Sequence, residues 1–413
     1  MLACARRQMP PWAIAHTASQ LRHEIDWQAL LREAHRHAVL LLLRHNLQRH
    51  FWPQIPAEVR EYLTQAAQHA QRRNLALTAE LLKILRTLRG AGVPAIPFKG
   101  PVLAAAAYGN AALRTFGDLD ILVHEQDLTA AGEALVAQGY VPKFTFTSQQ
   151  ERAYRKAECA LQFRHATRDV VVELHWSLTE RYLSINLPID DFWNRAIAVK
   201  VSGHPAVTFA PEDLFLYLCV HGSKHEWERL EWLSSVAAVM EAQPEMNWEA
   251  VAARAQECGI RRLVKVAVLL ANRLLHVPLP LPFRNEAESD HGVDTLFREV
   301  MLKIFAPGLP ENDAHKRGNW YLFLLRTRER WADKTRIILR SSLRLPHPNA
   351  ERYMLPPQLT YLHYVVRPLR LLRASVALTW HYWTAERRRL TAPQLERESG
   401  HGRDSADAHL FTH

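Results

Sequence analysis

The fold of this 413-residue chain is decided by residues 114–123, which read Arg114-Thr115-Phe116-Gly117-Asp118-Leu119-Asp120-Ile121-Leu122-Val123. Apart from Asp120, the run Leu119–Val123 is apolar, which is typical of a strand covered on both faces. Successive side chains of a strand point to opposite faces, so Asp118 and Asp120 share one face. Two carboxylates this close repel each other unless a cation lies between them, and Mg2+ prefers oxygen ligands. The pattern predicts a magnesium site; the alternative is an acidic strand end that pairs with Arg114 or caps a helix.

Short strands and helices surround this stretch. Val93–Phe98 has the length of a strand, and Lys99-Gly100-Pro101 leads from it into an alanine-rich helix, Val102–Tyr108. A second helix is predicted at Leu128–Ala137. Two further strands, joined by a polar turn, are predicted at Ala160–His165 and Val170–Trp176. This order of elements predicts an α/β or α+β core built on a small mixed sheet.

Helical sequence flanks the predicted core on both sides. Upstream, apolar residues recur at helical spacing from Asp26 to Arg89, with breaks at Pro53 and Pro56. Downstream, four helices are predicted: Leu214–Val220, Leu230–Met240, Trp248–Glu257 and Arg262–Leu275. A proline-rich linker at 278–282 and a basic helical region, Trp320–Leu345, come next. We therefore expect an N-terminal helical region (1–90), an α/β core (91–205), a helical domain (206–345), an irregular or helical segment (346–390) and a disordered polar tail (391–413).

The composition is ordinary for a soluble globular protein, with 48% hydrophobic and 23% charged residues. No apolar run approaches the roughly 20 residues that span a bilayer, and no signal peptide follows Arg6 and Arg7. The four cysteines are scattered without a CxxC pair, which suits reduced thiols, so we expect a cytoplasmic protein. The net charge of +10 suits nucleotides, nucleic acid or anionic lipid as partners. Arg387-Arg388-Arg389 could touch nucleic acid or a membrane surface, or end a solvated helix, and no RNA-binding signature accompanies it.

A phosphate site is predicted where the first strand meets the alanine-rich helix. Pro101 suits the first position of a helix, and the free N–H groups that follow point at whatever lies before the helix. A triphosphate there would meet these donors and the ammonium group of Lys99. A plain strand–helix connection at Gly100 is the alternative.

A third acidic residue lies in the last predicted strand, where Glu173 and His175 share one face. If this strand lies beside the strand of Asp120, Glu173 becomes a third metal ligand, or a base toward an attacking hydroxyl. The alternative is that Glu173 pairs with a local arginine, Arg164 or Arg168.

The helical segment after the core contains His221 and His225, four residues apart, a spacing that invites a zinc site. A metalloprotease helix would need Glu between them, and Gly222-Ser223-Lys224 stands there instead. Two interpretations stay open: this helix, with Lys224 and Arg229, closes over a nucleotide, or its histidines serve packing.

Taken together, these motifs resemble the uncharacterised bacterial nucleotidyltransferase family NTP_transf_5, of the polymerase-β-like nucleotidyltransferase superfamily. The resemblance is carried by Lys99-Gly100, Tyr108, Arg114 with Gly117–Val123, and Glu173-Leu174-His175-Trp176. It extends from about Trp27 to Arg370, through residues 218–239 and on to Leu355-Pro356 and Arg367-Pro368-Leu369-Arg370. The fold that it implies is a nucleotidyltransferase core with extensive helical N-terminal and C-terminal additions.

The activity that the resemblance implies is transfer of a nucleoside monophosphate from a nucleoside triphosphate, with pyrophosphate leaving. The acceptor would be a hydroxyl of an unknown small molecule, glycan or protein. Asp118 and Asp120 would bind two magnesium ions, and Glu173 would bind one of them. Lys99 and Gly100 would contact the triphosphate, and the expected nucleotide-contacting set further contains Arg114, His175, His221, Lys224 and His225. The alternative is a catalytically weak or inactive nucleotide-binding or regulatory protein of the same fold.

The chain departs from the expected pattern at the glycine turn, in two respects, and after Trp232-Leu233. Pro101 follows Gly100 where the wider superfamily has Ser or Gly, which removes one backbone donor to phosphate. The gap from this turn to the aspartates is also longer than usual. An aspartate expected after Trp232-Leu233 is replaced by Ser234-Ser235. These departures leave every predicted metal ligand in place.

Overall fold

The computed structural model describes residues 1–305 and 313–342. The chain divides into two compact units, Met1–Leu309 with Leu322–Arg344 and Pro310–Tyr321 with Leu345–His413. The described residues of the second unit, 313–321, are helical. The segments expected at 346–390 and 391–413, with the arginines at 387–389 and the helix expected at Leu359–Trp383, lie outside the described residues. The expected domain boundaries stay a prediction.

Helices open the chain, as predicted: α1 (Pro11–Gln20), α2 (Trp27–Arg36), α3 (Leu40–His50) and α4 (Ala57–Gly90). Asp26 caps α2, because its side chain accepts a hydrogen bond from the N–H of Ala29 at 2.8 Å. The interruption between α3 and α4 confirms the break predicted at the two prolines. The second half of α4 buries an apolar stripe, Leu77, Leu81, Ile84 and Leu88, against the core.

Five strands form one mixed sheet: β1 (Ile96–Pro97), β2 (Asp118–Leu122), β3 (Tyr140–Pro142), β4 (Ala160–His165) and β5 (Val171–His175). Their order is β1-β2-β5-β4-β3; β2 and β5 are parallel, and the other neighbours are antiparallel. The mixed α/β class, the small sheet and the β4–β5 hairpin are therefore confirmed. β1 is shorter than predicted because Pro94 and Pro97 have no N–H to donate to a ladder.

One face of the sheet is covered by helices. Leu119 and Ile121 of β2, with Val172 and Leu174 of β5, join the apolar stripe of α4 and the buried side of α6 (Leu128–Ala137) in one core cluster. The intervening residues of both strands point to the opposite face, which carries the polar side chains. The burial of one face thus fixes which side chains line the candidate site.

Two elements of the core region were not predicted. β3 has only three residues, and α7 (Ser148–Ala157) has no fully buried residue, so neither shows a clear apolar pattern. The start of α7 is fixed instead by a capping box between Thr147 and Gln150. A helix, α5 (Gly100–Leu103), follows β1 and continues as a π-helix, Ala104–Tyr108, where a regular helix was expected.

The helical region after the core begins with α8 (Ile189–Asn194) and a separate hairpin of β6 (Ile197–Val201) and β7 (His204–Thr208), which the sequence analysis missed. The four predicted helices are confirmed as α9 (Pro211–Lys224), α10 (Leu230–Ala242), α11 (Trp248–Glu257) and α12 (Arg261–Leu275).

The last described helices are α13 (Leu281–Ser289), α14 (His291–Phe305), α15 (Asp313–Arg326) and α16 (Trp331–Ser342). The predicted linker is shorter than expected, because α13 begins at Leu281 with Pro282 in its first turn, where a missing N–H costs no helical hydrogen bond. The predicted helical region 320–345 is interrupted between α15 and α16. Within the described ranges, no helix is both long enough and apolar enough to cross a bilayer.

Candidate active site

The parallel pairing of β2 with β5 brings the two acidic strand segments together. In its register Asp120 lies opposite Glu173, and Leu122 lies opposite His175. Because paired residues of neighbouring strands point to the same face, the side chains of Asp120, Glu173 and His175 face the same side. The structure thus fulfils the condition on which the predicted role of Glu173 depended.

Asp120, Glu173 and His175 form a compact cluster. One potential metal-ligating atom from each of the three lies within 4.8 Å of the others. The Nε2 atom of His175 is 3.2 Å from Oδ1 of Asp120 and 3.4 Å from Oε2 of Glu173. Among the residues that the structure describes, no other three His, Cys, Asp or Glu side chains come together in this way. Asp118, half-buried at the start of β2, lies outside this tightest group.

The carboxylate of Asp120 is fully buried, and only one of its two oxygens has hydrogen-bond partners. Its Oδ1 atom accepts a hydrogen bond from Nζ of Lys99 at 2.9 Å. Burial opposes ionisation, but the Lys99 ammonium and the hydrogen bond from His175 hold the pKa of Asp120 well below its usual range. Oδ2 of the same carboxylate is buried without any hydrogen-bond partner. A buried carboxylate oxygen without a partner is costly, so this atom marks a place that a cation fits.

The charges of the site are balanced unevenly. Burial disfavours the charged forms of Lys99 and His175, yet the carboxylate of Asp120 raises the pKa of both well above their ordinary values. A hydrogen bond from His175 lowers the pKa of Glu173 despite burial. Burial and the repulsion of Asp120 raise the pKa of Asp118 to about 6. Asp118 is therefore the acid whose charge the surrounding protein compensates least.

The alternative partners that the sequence offered for Glu173 are engaged elsewhere. Arg164 lies 3.6 Å from a carboxylate oxygen of Asp169, and Arg168 pairs with Glu80 of α4. Oε1 of Glu173 accepts a hydrogen bond from Nε2 of Gln162 at 3.1 Å instead. The interpretation of Glu173 as the partner of a local arginine is therefore wrong. Strand alternation on β4 could have indicated Gln162, which the sequence analysis missed.

Arg114 forms its ion pair with α10, although its positive charge also acts on Asp118. Its Nη2 atom is 3.2 Å from Oε1 of Glu231, and its Nε and Nη1 atoms are buried without a hydrogen-bond partner. The alternative in which Arg114 pairs with the aspartate strand is thus not what the structure shows. Its predicted contact with a nucleotide stays a prediction.

The turn between β1 and α5 lies directly against the carboxylate strand. Gly100 has φ of +53°, in the left-handed region, and a Cβ atom on it would lie 3.2 Å from the carbonyl oxygen of Asp118. Glycine is therefore required both by the backbone conformation and by the close approach. Lys99, just before it, reaches Asp120, and Pro101 starts the helix.

Helix α9 borders the site through Tyr217, another residue that the sequence analysis missed. The Tyr217 ring lies 5.5 Å from Nζ of Lys99 and 5.0 Å from the ring of Phe98. His221, one helical turn further on, stacks on Tyr217 with ring centroids 5.9 Å apart. The four-residue spacing on α9 was the signal that could have found Tyr217.

The histidine pair of α9 is packed in a buried environment. His221 and His225 have ring centroids 4.8 Å apart, and His225 stacks on Trp232. Burial, with the nearby Lys224, lowers the pKa of His225 to about 4, and burial with Lys99 lowers that of His221 further below its ordinary value. No His, Cys, Asp or Glu of the described residues completes a three-ligand group with them, so a zinc site there has no support.

Lys224 at the end of α9 pairs with Glu180, in the segment that follows β5. The predicted contacts of Lys224, His221 and His225 with a nucleotide stay predictions. Helix α9 lies beside the site, because Tyr217 contacts Lys99. A helix that closes over a bound nucleotide would have to lie there.

The two serines that replace the expected aspartate have packing roles. Oγ of Ser234 donates to the carbonyl oxygen of Ala5 at 2.7 Å, and Oγ of Ser235 is 3.2 Å from the hydroxyl of Tyr108. Both serines are buried, so they join α10 to the start of the chain and to the π-helix. An ionised aspartate could not donate the first of these hydrogen bonds.

Comparison with known protein families gives a match over the core and the helices that follow it. A family model described as an uncharacterised nucleotidyltransferase, NTP_transf_5, matches residues 23–276, more than half of the chain. The chain belongs to this family. The match includes the sheet, the turn at Gly100, the acidic cluster and α9 to α12, and it ends before the C-terminal segments up to Arg370 that the sequence resemblance included. Membership supports nucleotidyl transfer as the general class of activity.

No curated protein matches the chain. The family therefore supports the general class of activity and implies a nucleotide substrate, and it does not specify the acceptor.

Proposed function

We propose that this protein is a divalent-metal-dependent nucleotidyltransferase that moves a nucleoside monophosphate from a nucleoside triphosphate to a hydroxyl acceptor. The observation that carries the proposal is the buried Asp120 carboxylate, which lies opposite Glu173 in the sheet and has one oxygen without a partner. Carboxylate oxygens are the ligands that Mg2+ prefers. The donor set therefore fits a divalent cation.

Three carboxylates would hold the metal, which we expect to be magnesium, with two ions in the complete site. Asp118 and Asp120 would bind both ions and Glu173 one. Bound ions would neutralise charge on the triphosphate and on the attacking and leaving oxygens. The uncompensated carboxylate of Asp118, with its raised pKa, is the group that gains most from a cation nearby.

The remaining residues act on the nucleotide and the acceptor. Lys99, next to Gly100, would bind the triphosphate. Glu173, whose side chain is 28% exposed, is accessible enough to accept the proton of an acceptor hydroxyl. The bond from the acceptor oxygen to the α-phosphorus would form as the bond to the pyrophosphate oxygen breaks, and pyrophosphate would leave.

The test is transfer of label from α-labelled nucleoside triphosphates to panels of small-molecule, glycan and protein acceptors, with pyrophosphate release as a second readout. Asp118→Ala and Asp120→Ala should each abolish both signals. Asp169→Ala, at an aspartate that is 67% exposed in the β4–β5 turn, is the matched control and should keep them. Circular dichroism would show that each variant is folded. Transfer that survives both active-site changes would reject the assignment.

A second function, nucleotide binding without turnover, is favoured by one observation. Lys99 and His175 compensate the charge of the Asp120 carboxylate without any ion, so this residue of the site does not depend on a metal for charge balance. This alternative predicts calorimetric binding of a nucleoside triphosphate with no release of pyrophosphate across the acceptor panels.

A further inference from the structure

An imidazole nitrogen lies inside the carboxylate cluster. Nε2 of His175 is 3.2 Å from Oδ1 of Asp120 and 3.4 Å from Oε2 of Glu173, so it contacts both carboxylates directly. The His175 side chain is only 6% exposed, and Phe98 packs edge-on against its ring with centroids 5.1 Å apart. The ring is therefore held with this nitrogen directed at the carboxylates.

The spacing of these atoms is that of ligands around one ion. Two ligand atoms that each lie about 2.0–2.2 Å from a metal, at tetrahedral or octahedral angles, are about 3.0–3.5 Å apart. Both distances from Nε2 fall in that range. In the metal-free site the same nitrogen donates a hydrogen bond to Asp120, so a bound ion would replace the proton on Nε2, which would leave to solvent. Independently, Oδ2 of Asp120 is buried without a partner, so the cluster still has a free acceptor for a cation.

We propose that His175 is a metal ligand together with Asp120 and Glu173, and that this mixed nitrogen and oxygen set makes the site select Mn2+ over Mg2+. The inference rests on the metal-dependent function proposed above and names the ion. Imidazole is a ligand of first-row transition metals, and Mn2+ is the member of that series that also accepts carboxylate and water oxygens, whereas Mg2+ prefers an all-oxygen shell with several waters. A nitrogen ligand therefore favours the binding of Mn2+ over that of Mg2+.

A role for His175 outside the metal shell makes a different prediction. As a hydrogen-bond donor that only orients Asp120 and Glu173, it would support every divalent ion equally. Removing the imidazole would then weaken Mn2+ and Mg2+ by the same factor, and no nitrogen would be bonded to the ion. The two roles can thus be separated by metal binding alone.

The experiment uses the full chain with Mn2+ alone and no nucleotide. Pulsed electron paramagnetic resonance should show electron spin-echo modulation from one 14N nucleus of a directly bound imidazole. In His175→Gln this modulation should vanish, and Mn2+ affinity should fall by about tenfold or more, while Mg2+ affinity, measured by competition, changes by less than about threefold. His165→Gln, at a histidine of the neighbouring strand β4 outside the cluster, is the matched control and should keep the modulation.

Bound Mn2+ without nitrogen modulation in the unaltered protein would overturn the proposal, as would equal losses for both ions in His175→Gln. Absence of Mn2+ binding would overturn it as well. The proposed transfer activity is tested separately: nitrogen modulation without any transfer leaves the ligand assignment standing and rejects the enzyme function, and transfer without nitrogen modulation does the reverse. Should His175→Gln fail to fold, the modulation in the unaltered protein and in His165→Gln still decides the point.

Discussion

Replacing Asp120 by asparagine should destabilise the metal-free protein, and removing Lys99 as well should restore much of the loss. Asp120 is fully buried, and the side chain of Lys99 is only 12% exposed, so each charge depends on the other. Breaking a buried ion pair from one side leaves an uncompensated charge and typically costs about 3–5 kcal/mol. Lys99→Met in the same chain removes that charge, so the double variant should be more stable than Asp120→Asn alone.

The size of the coupling follows from the distance. At 2.9 Å, two unit charges attract by about 6 kcal/mol at an effective dielectric constant near 20. Desolvation of both groups offsets part of this energy. His175 also donates to Asp120, and asparagine can still accept that hydrogen bond, which reduces the loss further. We expect a coupling free energy of at least about 2 kcal/mol between positions 99 and 120.

The assay is urea unfolding of the four proteins of this double-mutant cycle, without added metal. Lys156→Met, at an exposed lysine of α7, in the Asp120→Asn background is the matched control and should recover nothing. A coupling free energy below about 0.5 kcal/mol, the scatter expected for independent sites, would refute the reasoning. It would mean that the ion pair does not form in solution.

Three further predictions concern other parts of the chain. Asp118→Asn should stabilise the metal-free protein by about 1–3 kcal/mol near pH 8. The pKa of Asp118 is about 6, above its ordinary value, so the ionised carboxylate costs the folded protein stability as pH rises toward and through 6. Saturating Mg2+ should erase this gain, as measured by urea unfolding. Gly100→Ala should cost about 1–2 kcal/mol and weaken nucleotide binding in calorimetry, because its φ is +53°. Gly117→Ala, where a Cβ meets nothing within 4 Å, should be near neutral. Buried His37, whose Nδ1 accepts the N–H of Leu230 at 3.3 Å, has a pKa lowered by burial to about 4, so stability should fall by up to about 3 kcal/mol as pH drops from about 6.5 to 4. His37→Gln should flatten that pH dependence, and an unchanged slope would contradict the assignment.

Local sequence patterns predicted the helices and strands well, but they did not predict which of these elements lie next to each other. The alternation at Asp118 and Asp120, and at Glu173 and His175, correctly indicated strands with one polar face. The parallel pairing of β2 with β5 joins segments 53 residues apart in register, and no local pattern contains it. The position of Glu173 beside Asp120 could therefore be stated only as a condition.

The sequence also could not indicate which hydrogen-bond or ion-pair partner each polar side chain of the site has. His175 was grouped with the nucleotide-contacting residues, because strand alternation gives a face but no distance. Its nitrogen lies between the carboxylates only because Phe98 and the sheet register hold it there. Arg114 was offered as a partner of the acidic strand end or as a nucleotide contact, and the sequence did not indicate that it pairs with Glu231 of a helix more than one hundred residues later.

The π-helix at Ala104–Tyr108 bears on how many residues this segment can have in other members of the family. Its wider turn holds about one more residue than an α-helical turn would. Both ends of the segment are anchored, at Gly100 against the carbonyl of Asp118 and at Tyr108 near the hydroxyl of Ser235. Relatives can therefore gain or lose one residue within the alanine run while both anchors keep their places. Insertions and deletions in an alignment of the family should concentrate between residues 103 and 108.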